Sequence, residues 1–271
     1  MLKIKNSIIG LLIALSVTSC GEFSKVLNRG TSAEQYILAT DLYESGKYNK
    51  ALQLFEKVIP AYRGKPQMER IQFMVSMANY KTKNYLLAAY HFDRFTKNYP
   101  KSTKKEEASY LAAHSYYLAI PRSSLDQSDT KKAIDAFQRF IDTYPTSNRI
   151  AAANKFVKEM QLRLEKKAYD IAYQYYHTEN YKSALVAFDN FLSDNLGTSF
   201  KEDALFYKSK AAHDLALKSV VSKKEARIKS ALQAIDRLER NFKDTKYKKE
   251  AEKLRDDLEN ELNLMASTKN E

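Results

Sequence analysis

The chain has 271 residues, 44% of them apolar and 29% charged, with six Gly, five Pro and a formal net charge of +12. This composition excludes a disordered or collagen-like chain, and the length suffices for one large or two ordinary domains. A single cysteine excludes an intrachain disulfide, and nineteen Tyr and thirteen Phe against no Trp form an aromatic excess of the kind that supplies cores and interfaces.

Lys3 and Lys5 precede a ten-residue apolar run from Ile8 to Val17, which is too short to span a bilayer. Residues 1–19 therefore read as an export signal that is removed. The run ends in VTSC, with small residues directly before the sole cysteine. This resembles the bacterial lipobox and predicts acylation of Cys20, a covalent lipid being the only cofactor expected; the other reading is an ordinary signal peptide with an incidental cysteine. Residues 20–30 read as a lipidated tether. Several acyl chains would hold the following domain firmly on a membrane, and Gly21 after the cysteine suggests the outer membrane by analogy with enteric sorting.

Next come helical hairpins. The stretches AAYHFDRFTKNYP from Ala88, AIDAFQRFIDTYP from Ala133 and ALVAFDNFLSDNL from Ala184 share one pattern, Ala followed by Phe at +4 and +7. Those spacings put the three side chains on one helical stripe. Ala51, Phe55, Val58 and Ala231, Ile235, Leu238 are weaker copies. Tyr48, Tyr85 and Tyr181 stand three residues before three of the alanines, each preceded by a turn, SGK, TKN or TEN. Upstream of each turn lies another amphipathic stretch of about fourteen residues, a usual helix length. Thr103 with Glu106 and Ser199 with Glu202 match the capping box that opens a helix. Successive alanines are 37, 45, 51 and 47 residues apart, and Pro100 and Pro145 close two of the units.

The unit of helix, turn and helix resembles the tetratricopeptide repeat, whose small residue lets paired helices touch. The expectation is an all-α, tetratricopeptide-like helical-repeat solenoid of about five helix pairs over residues 31–262. The repeats would fall at roughly 31–65, 67–100, 103–147, 149–197 and 199–262, with 263–271 as a frayed tail.

First helices of such pairs line a concave face. Here they carry aromatics in two sets: Tyr43, Tyr80 and Tyr176, and seven residues earlier Tyr36, Phe73 and Tyr169; the third copy offers Tyr110 and Tyr117. Tyr36, Tyr43, Phe73, Tyr80, Tyr110 and Tyr117 are thus candidates for a binding groove, because Tyr joins apolar area to a polar tip. Packing between helices is the competing reading, since aromatic stripes at helical spacing also build cores.

No catalytic pattern emerges. His91, His114, His177 and His213 are scattered without metal-ligand spacing, and no nucleophile elbow or phosphate-cradling glycine loop is present. Glu106 and Glu107 form a carboxylate pair that more simply complements a helix dipole. The chain reads as a binding protein, not an enzyme. Without Lys3 and Lys5 it keeps 43 basic and 33 acidic residues, a net +10, of which thirteen basic and eight acidic fall between Lys218 and Asp257. That segment is either a solvated mixed-charge face or a surface for a protein or anionic lipid; nucleic acid is not expected for an exported lipoprotein.

A lipobox followed by five such pairs, with the insertion running from Ile120 to Pro145 in the third, resembles the BamD family of outer-membrane assembly lipoproteins in its Bacteroidetes form. The resemblance covers nearly the whole mature chain, although the fourth repeat ends in DNLGTSF and the fifth carries an insertion around KSVVSKKEARIKS. It implies a scaffold hung on the periplasmic face of the outer membrane. The amino-terminal repeats would receive unfolded outer-membrane barrel proteins, and the carboxy-terminal repeats would dock on the BamA-type barrel insertase alongside other assembly-complex lipoproteins. A glycan-binding lipoprotein of the SusD type and an adaptor of envelope division share the scaffold; the first is about twice as long and features Trp, and the second normally lacks the acylated cysteine.

Overall fold

The computed structural model describes residues 21–269 of the chain; the expected acylation of Cys20 lies outside them. All regular elements among the described residues are helical. After a helical segment over 21–29 come α1 (Ser32–Glu44), α2 (Tyr48–Tyr62), α3 (Gln67–Lys81), α4 (Tyr85–Asn98), α5 (Lys105–Ala119) and α6 (Ser128–Thr143). Then follow α7 (Ile150–His177), α8 (Tyr181–Asp194), α9 (Lys201–Leu217), α10 (Val221–Asn241) and α11 (Lys248–Lys269). None of these helices is long and apolar enough to cross a membrane. The chain divides into two compact units, one comprising residues up to Arg122 together with Asp126–Val157, the other Ser123–Leu125 and Lys158 onward.

The predicted stripes are the core. Ala51, Phe55 and Val58 of α2, Ala88, Phe92 and Phe95 of α4, and Ala133, Phe137 and Phe140 of α6 are wholly buried in the first unit. In the second unit Ala184, Phe188 and Phe191 of α8 and Ala231, Ile235 and Leu238 of α10 do the same. Each alanine leaves room for the partner helix to approach, while the larger residues one and two turns on fill the space between helices.

The three short turns share a mechanism. Gly46, Lys83 and Glu179, the middle residues of SGK, TKN and TEN, have φ of 76°, 63° and 60°. The left-handed residue lets the next amide bond back to the helix end, as in Lys47 N–H to Leu42 O (2.8 Å), Asn84 N–H to Asn79 O (2.9 Å) and Asn180 N–H to Tyr175 O (2.9 Å). Only glycine adopts that conformation without a Cβ penalty. Lys83→Gly is accordingly expected to raise stability by about 0.5–1 kcal/mol, measured as a higher urea midpoint at unchanged slope.

Four features differ from expectation. The pair Thr103/Glu106 and the pair Ser199/Glu202 form no capping box: α5 and α9 start at Lys105 and Lys201 without a side-chain cap. Both glutamates instead reach the turn that precedes a later helix, α7 for Glu106 and α11 for Glu202. Glu106 accepts from Ser147 Oγ at 2.6 Å and lies 3.5 Å from Arg149, and Glu202 accepts from Thr245 Oγ1 at 2.7 Å and from the Lys246 amide at 2.9 Å. A charge-assisted bond that ties one helix to the turn before another is worth more than a surface cap. The capping box that does form is Thr31 with Glu34, whose carboxylate is held below its ordinary pKa by the Thr31 amide and hydroxyl.

Second, the fourth first helix is not about fourteen residues but twenty-eight, because nothing between Ile150 and His177 breaks it. Its residues through Val157 belong to the first unit and those from Lys158 to the second. Third, the expected tether is helical over 21–29 and lays Phe23, Val26 and Leu27 against the core of α1 and α2. Gln35 of α1, itself buried, donates to the carbonyls of Val26 and Leu27 at 3.2 Å each. Fourth, the tail expected to fray from 263 continues α11 to Lys269, so the last repeat ends in a third helix that packs on α9 and α10.

Candidate aromatic site

Each of the six candidate aromatics is half-buried, using one face for packing. The earlier set leans on the core stripes: Phe73 sets its edge against Phe92 and Phe95 (6.1 and 5.4 Å between ring centres), and Tyr110 does the same to Phe137 and Phe140 (6.0 and 5.4 Å). A cation from the following junction covers each ring, Lys104 over Phe73 at 5.4 Å and Arg149 over Tyr110 at 5.6 Å. Tyr36 stacks on Tyr62 at 5.1 Å and joins neither group below.

Tyr80, Tyr110 and Tyr117 converge on His114. The Tyr80 hydroxyl lies 2.8 Å from His114 Nδ1, Tyr110 and Tyr117 stack on the imidazole at 5.9 Å, and Phe156 of α7 closes the cluster at 5.0 Å. Burial pushes the His114 pKa down and the Tyr80 pKa up, so the hydrogen bond joins a neutral ring to a neutral phenol. Beside it, Tyr116 donates to Asp93 at 2.9 Å, and burial with that bond pushes its pKa up to about 12.

A depressed histidine pKa favours the unfolded chain as protons are added. The His114 contribution is full above its ordinary value of 6.5 and is lost as pH falls below it; His91, lowered by burial and by Arg94, acts in the same sense. The thermal midpoint should fall between about pH 7 and pH 5, and His114→Phe, which keeps the ring packing, should flatten part of that slope. Identical slopes for the two proteins would contradict the assignment.

Tyr43 and Phe73 meet in an open cleft of about 410 Å³ between α1 and α3. Pro66, Met74 and Phe95 complete its apolar lining, and Glu69, Arg70 and Lys104 add its charged groups. Arg70 bonds Glu44 of α1 at 3.1 Å in a well-exposed pair of little energetic weight. Tyr43 touches Tyr48 edge-on at 5.5 Å, while its hydroxyl has no hydrogen-bond partner among the described residues. Burial first, then neighbouring Tyr48 and Glu107, raises its pKa. An apolar slot with a free phenol and both signs of charge in its lining can take a large side chain and the backbone that carries it.

The second unit treats its aromatics differently. Tyr169 packs on Phe188, Phe191 and Phe200, Tyr176 donates to Asp214 at 3.3 Å, and Tyr247 donates to Asp203 at 2.7 Å while stacking on Phe206. With their polar tips tied to acids of α9, Tyr176 and Tyr247 are committed to the packing. The basic stretch from Lys218 is partly neutralised within the unit, Arg255 binding Asp236 and Glu239 at 2.8 and 2.7 Å and Lys224 binding Glu261. His114 and Phe156 of the cluster, and Pro66, Glu69, Arg70, Met74 and Lys104 of the cleft, are the site residues that sequence reasoning missed. The 34-residue step from Tyr80 to His114 is the one signal that points to any of them.

The YfiO family, described as an outer membrane lipoprotein, matches residues 28–164 and 152–266. A relative from Aquifex aeolicus is 26% identical over 207 residues, covering 73% of this chain and 65% of its own length. The outer membrane protein assembly factor BamD of Pasteurella multocida is 26% identical over 157 residues, 54% of this chain and 60% of that protein. The BamD of Caulobacter vibrioides is 25% identical over 204 residues, 74% and 67% of the two chains. This chain thus spans less than two thirds of the length of the first two. Among solved structures, the TPR2AB-domain:pHSP90 complex of yeast Sti1 is 13% identical with a TM-score of 0.36 over 84% of this chain and 98% of that one.

Proposed function

We propose, for a chain that belongs to the YfiO family of outer membrane lipoproteins, a non-catalytic role as a scaffold in outer membrane protein assembly. Relatives named as assembly factors support the general role. The observation that carries the finer reading is the Tyr43–Phe73 cleft. An unfolded barrel strand presents large side chains at every second position, and one of these enters the cleft while the Tyr43 hydroxyl and the charged lining groups bond the extended backbone. No bond is made or broken in such a task.

Acylation of Cys20 would keep the cleft beside the membrane on the periplasmic face, raising the effective concentration of captured chains near a BamA-type insertase. Docking to that insertase and to further assembly lipoproteins is assigned to the second unit, where the mixed-charge helices α10 and α11 present Arg237, Arg240 and Lys253. The test is purification of the natively expressed protein from outer membranes in mild detergent, with mass spectrometry of what remains bound. A stoichiometric barrel insertase is expected; a glycan transporter or division factors in its place would overturn the reading.

A further inference from the structure

Clefts recur between consecutive second helices, each floored by the first helix of the later pair. Those between α4 and α6 in the first unit and between α8 and α10 in the second carry carboxylates among their cations: Asp93 beside Lys105 and Arg139, and Asp189 and Asp236 beside Lys208 and Arg237. The cleft between α2 and α4 departs from this. It holds about 490 Å³ and is lined by Arg63, Arg94 and His91 over an apolar floor of Met68 and Val75, with Ile59 on the α2 side and no carboxylate in the lining.

Neither Arg63 nor Arg94 has a carboxylate partner among the described residues. Arg94 lies over the Tyr90 ring at 5.6 Å and donates to its hydroxyl at 3.2 Å, which fixes the guanidinium without neutralising it. Tyr90 also meets the His91 ring at 5.4 Å. On the same helix Leu86 stands one turn before Tyr90, and Leu87 one turn before His91. Leu86, Leu87 and Tyr90 are 57%, 47% and 51% exposed. Three large apolar side chains in water beside two unpaired guanidinium groups make an amphipathic cationic face, the pattern of helices that lie in a membrane interface.

We infer that the α2–α4 cleft binds the phosphate headgroup of an anionic phospholipid, with Leu86, Leu87 and Tyr90 entering the interfacial layer around it. Arg63, in the turn that follows α2, and Arg94 of α4 approach the phosphate from two sides, which suits the planar fork of Arg. An acidic peptide would employ the guanidinium pair and leave the three exposed apolar side chains in water, whereas a lipid surface employs both. The contact is independent of the acyl anchor proposed at Cys20 and would orient a domain that the anchor merely tethers.

The test uses the mature chain from residue 20 carrying Cys20→Ser, so that no acyl group contributes, sedimented with phosphatidylcholine vesicles with and without phosphatidylglycerol. Binding is expected only with phosphatidylglycerol. Arg63→Gln and Arg94→Gln should each weaken it about fivefold, since one basic residue at an anionic surface contributes about that factor. Leu86→Ser with Leu87→Ser should weaken it further at unchanged charge. All four side chains are exposed, and circular dichroism verifies that the variants fold. Equal binding to uncharged vesicles, or wild-type binding by the arginine variants, would overturn the inference. Binding of inorganic phosphate or polyglutamate at the two arginines without vesicle binding would also overturn it, identifying a free anion or an acidic peptide as the occupant.

Discussion

Phe140→Ala is expected to destabilise the first unit by about 3–5 kcal/mol, lowering its thermal midpoint by roughly 6–20 °C. Phe140 is wholly buried, with Tyr110 and Tyr144 each 5.4 Å from its ring centre. Removing the ring opens a cavity on a wall that α5 and α6 share, and neighbouring Phe137, already packed against Tyr110 and Phe156, is not placed to fill it. In a repeat fold such damage passes to adjacent repeats through their interfaces. Val186→Ala, at a side chain 61% exposed on α8, is the control and should change stability by less than about 0.5 kcal/mol. A midpoint unmoved by Phe140→Ala would mean that the Ala-Phe-Phe stripe is not what holds the helices together.

That stripe was the most legible part of the chain, and for a physical reason. Residues at +4 and +7 from an alanine can share a burial environment only in a helix, so Ala88, Phe92 and Phe95 announce both the element and the face it buries. The length of α7 was hidden because EMQLRLEKKAYD contains neither a glycine nor a proline to mark where one role of the helix ends and the next begins. The hydroxyls of Ser147 and Thr245 lie 41 and 43 residues from the glutamates they bind; a local pattern such as the capping box claimed Glu106 and Glu202 because it looks only three residues away. The helical segment over 21–29 was readable after all, since Phe23, Val26 and Leu27 have helical spacing and TSAE from Thr31 is a capping box.

The aromatic candidates show where pattern reading stops. A half-buried ring satisfies the core with one face and water with the other, so recurrence alone does not separate a wall from a seam. Their different surroundings do: Tyr80 is engaged by His114, Tyr110 is covered by Arg149, and Tyr36 is paired with Tyr62, whereas Tyr43 borders open space with its hydroxyl unbonded.

Replacing Tyr43 by Ala should therefore weaken capture of an unfolded barrel chain about tenfold, the loss of one central aromatic contact, with helicity retained because Tyr43 is only half-buried, at the edge of the core near the end of α1, and its ring contact among the described residues is with Tyr48 alone. Ile37→Ala, 60% exposed on the same helix and away from the cleft, should leave affinity unchanged. Equilibrium binding of a fluorescently labelled outer membrane barrel protein, unfolded in urea and diluted into the mature protein and these two variants, measures the difference. Selective loss with Tyr43→Ala is the result predicted for a cleft that receives unfolded chains; equal affinity in all three proteins would contradict it.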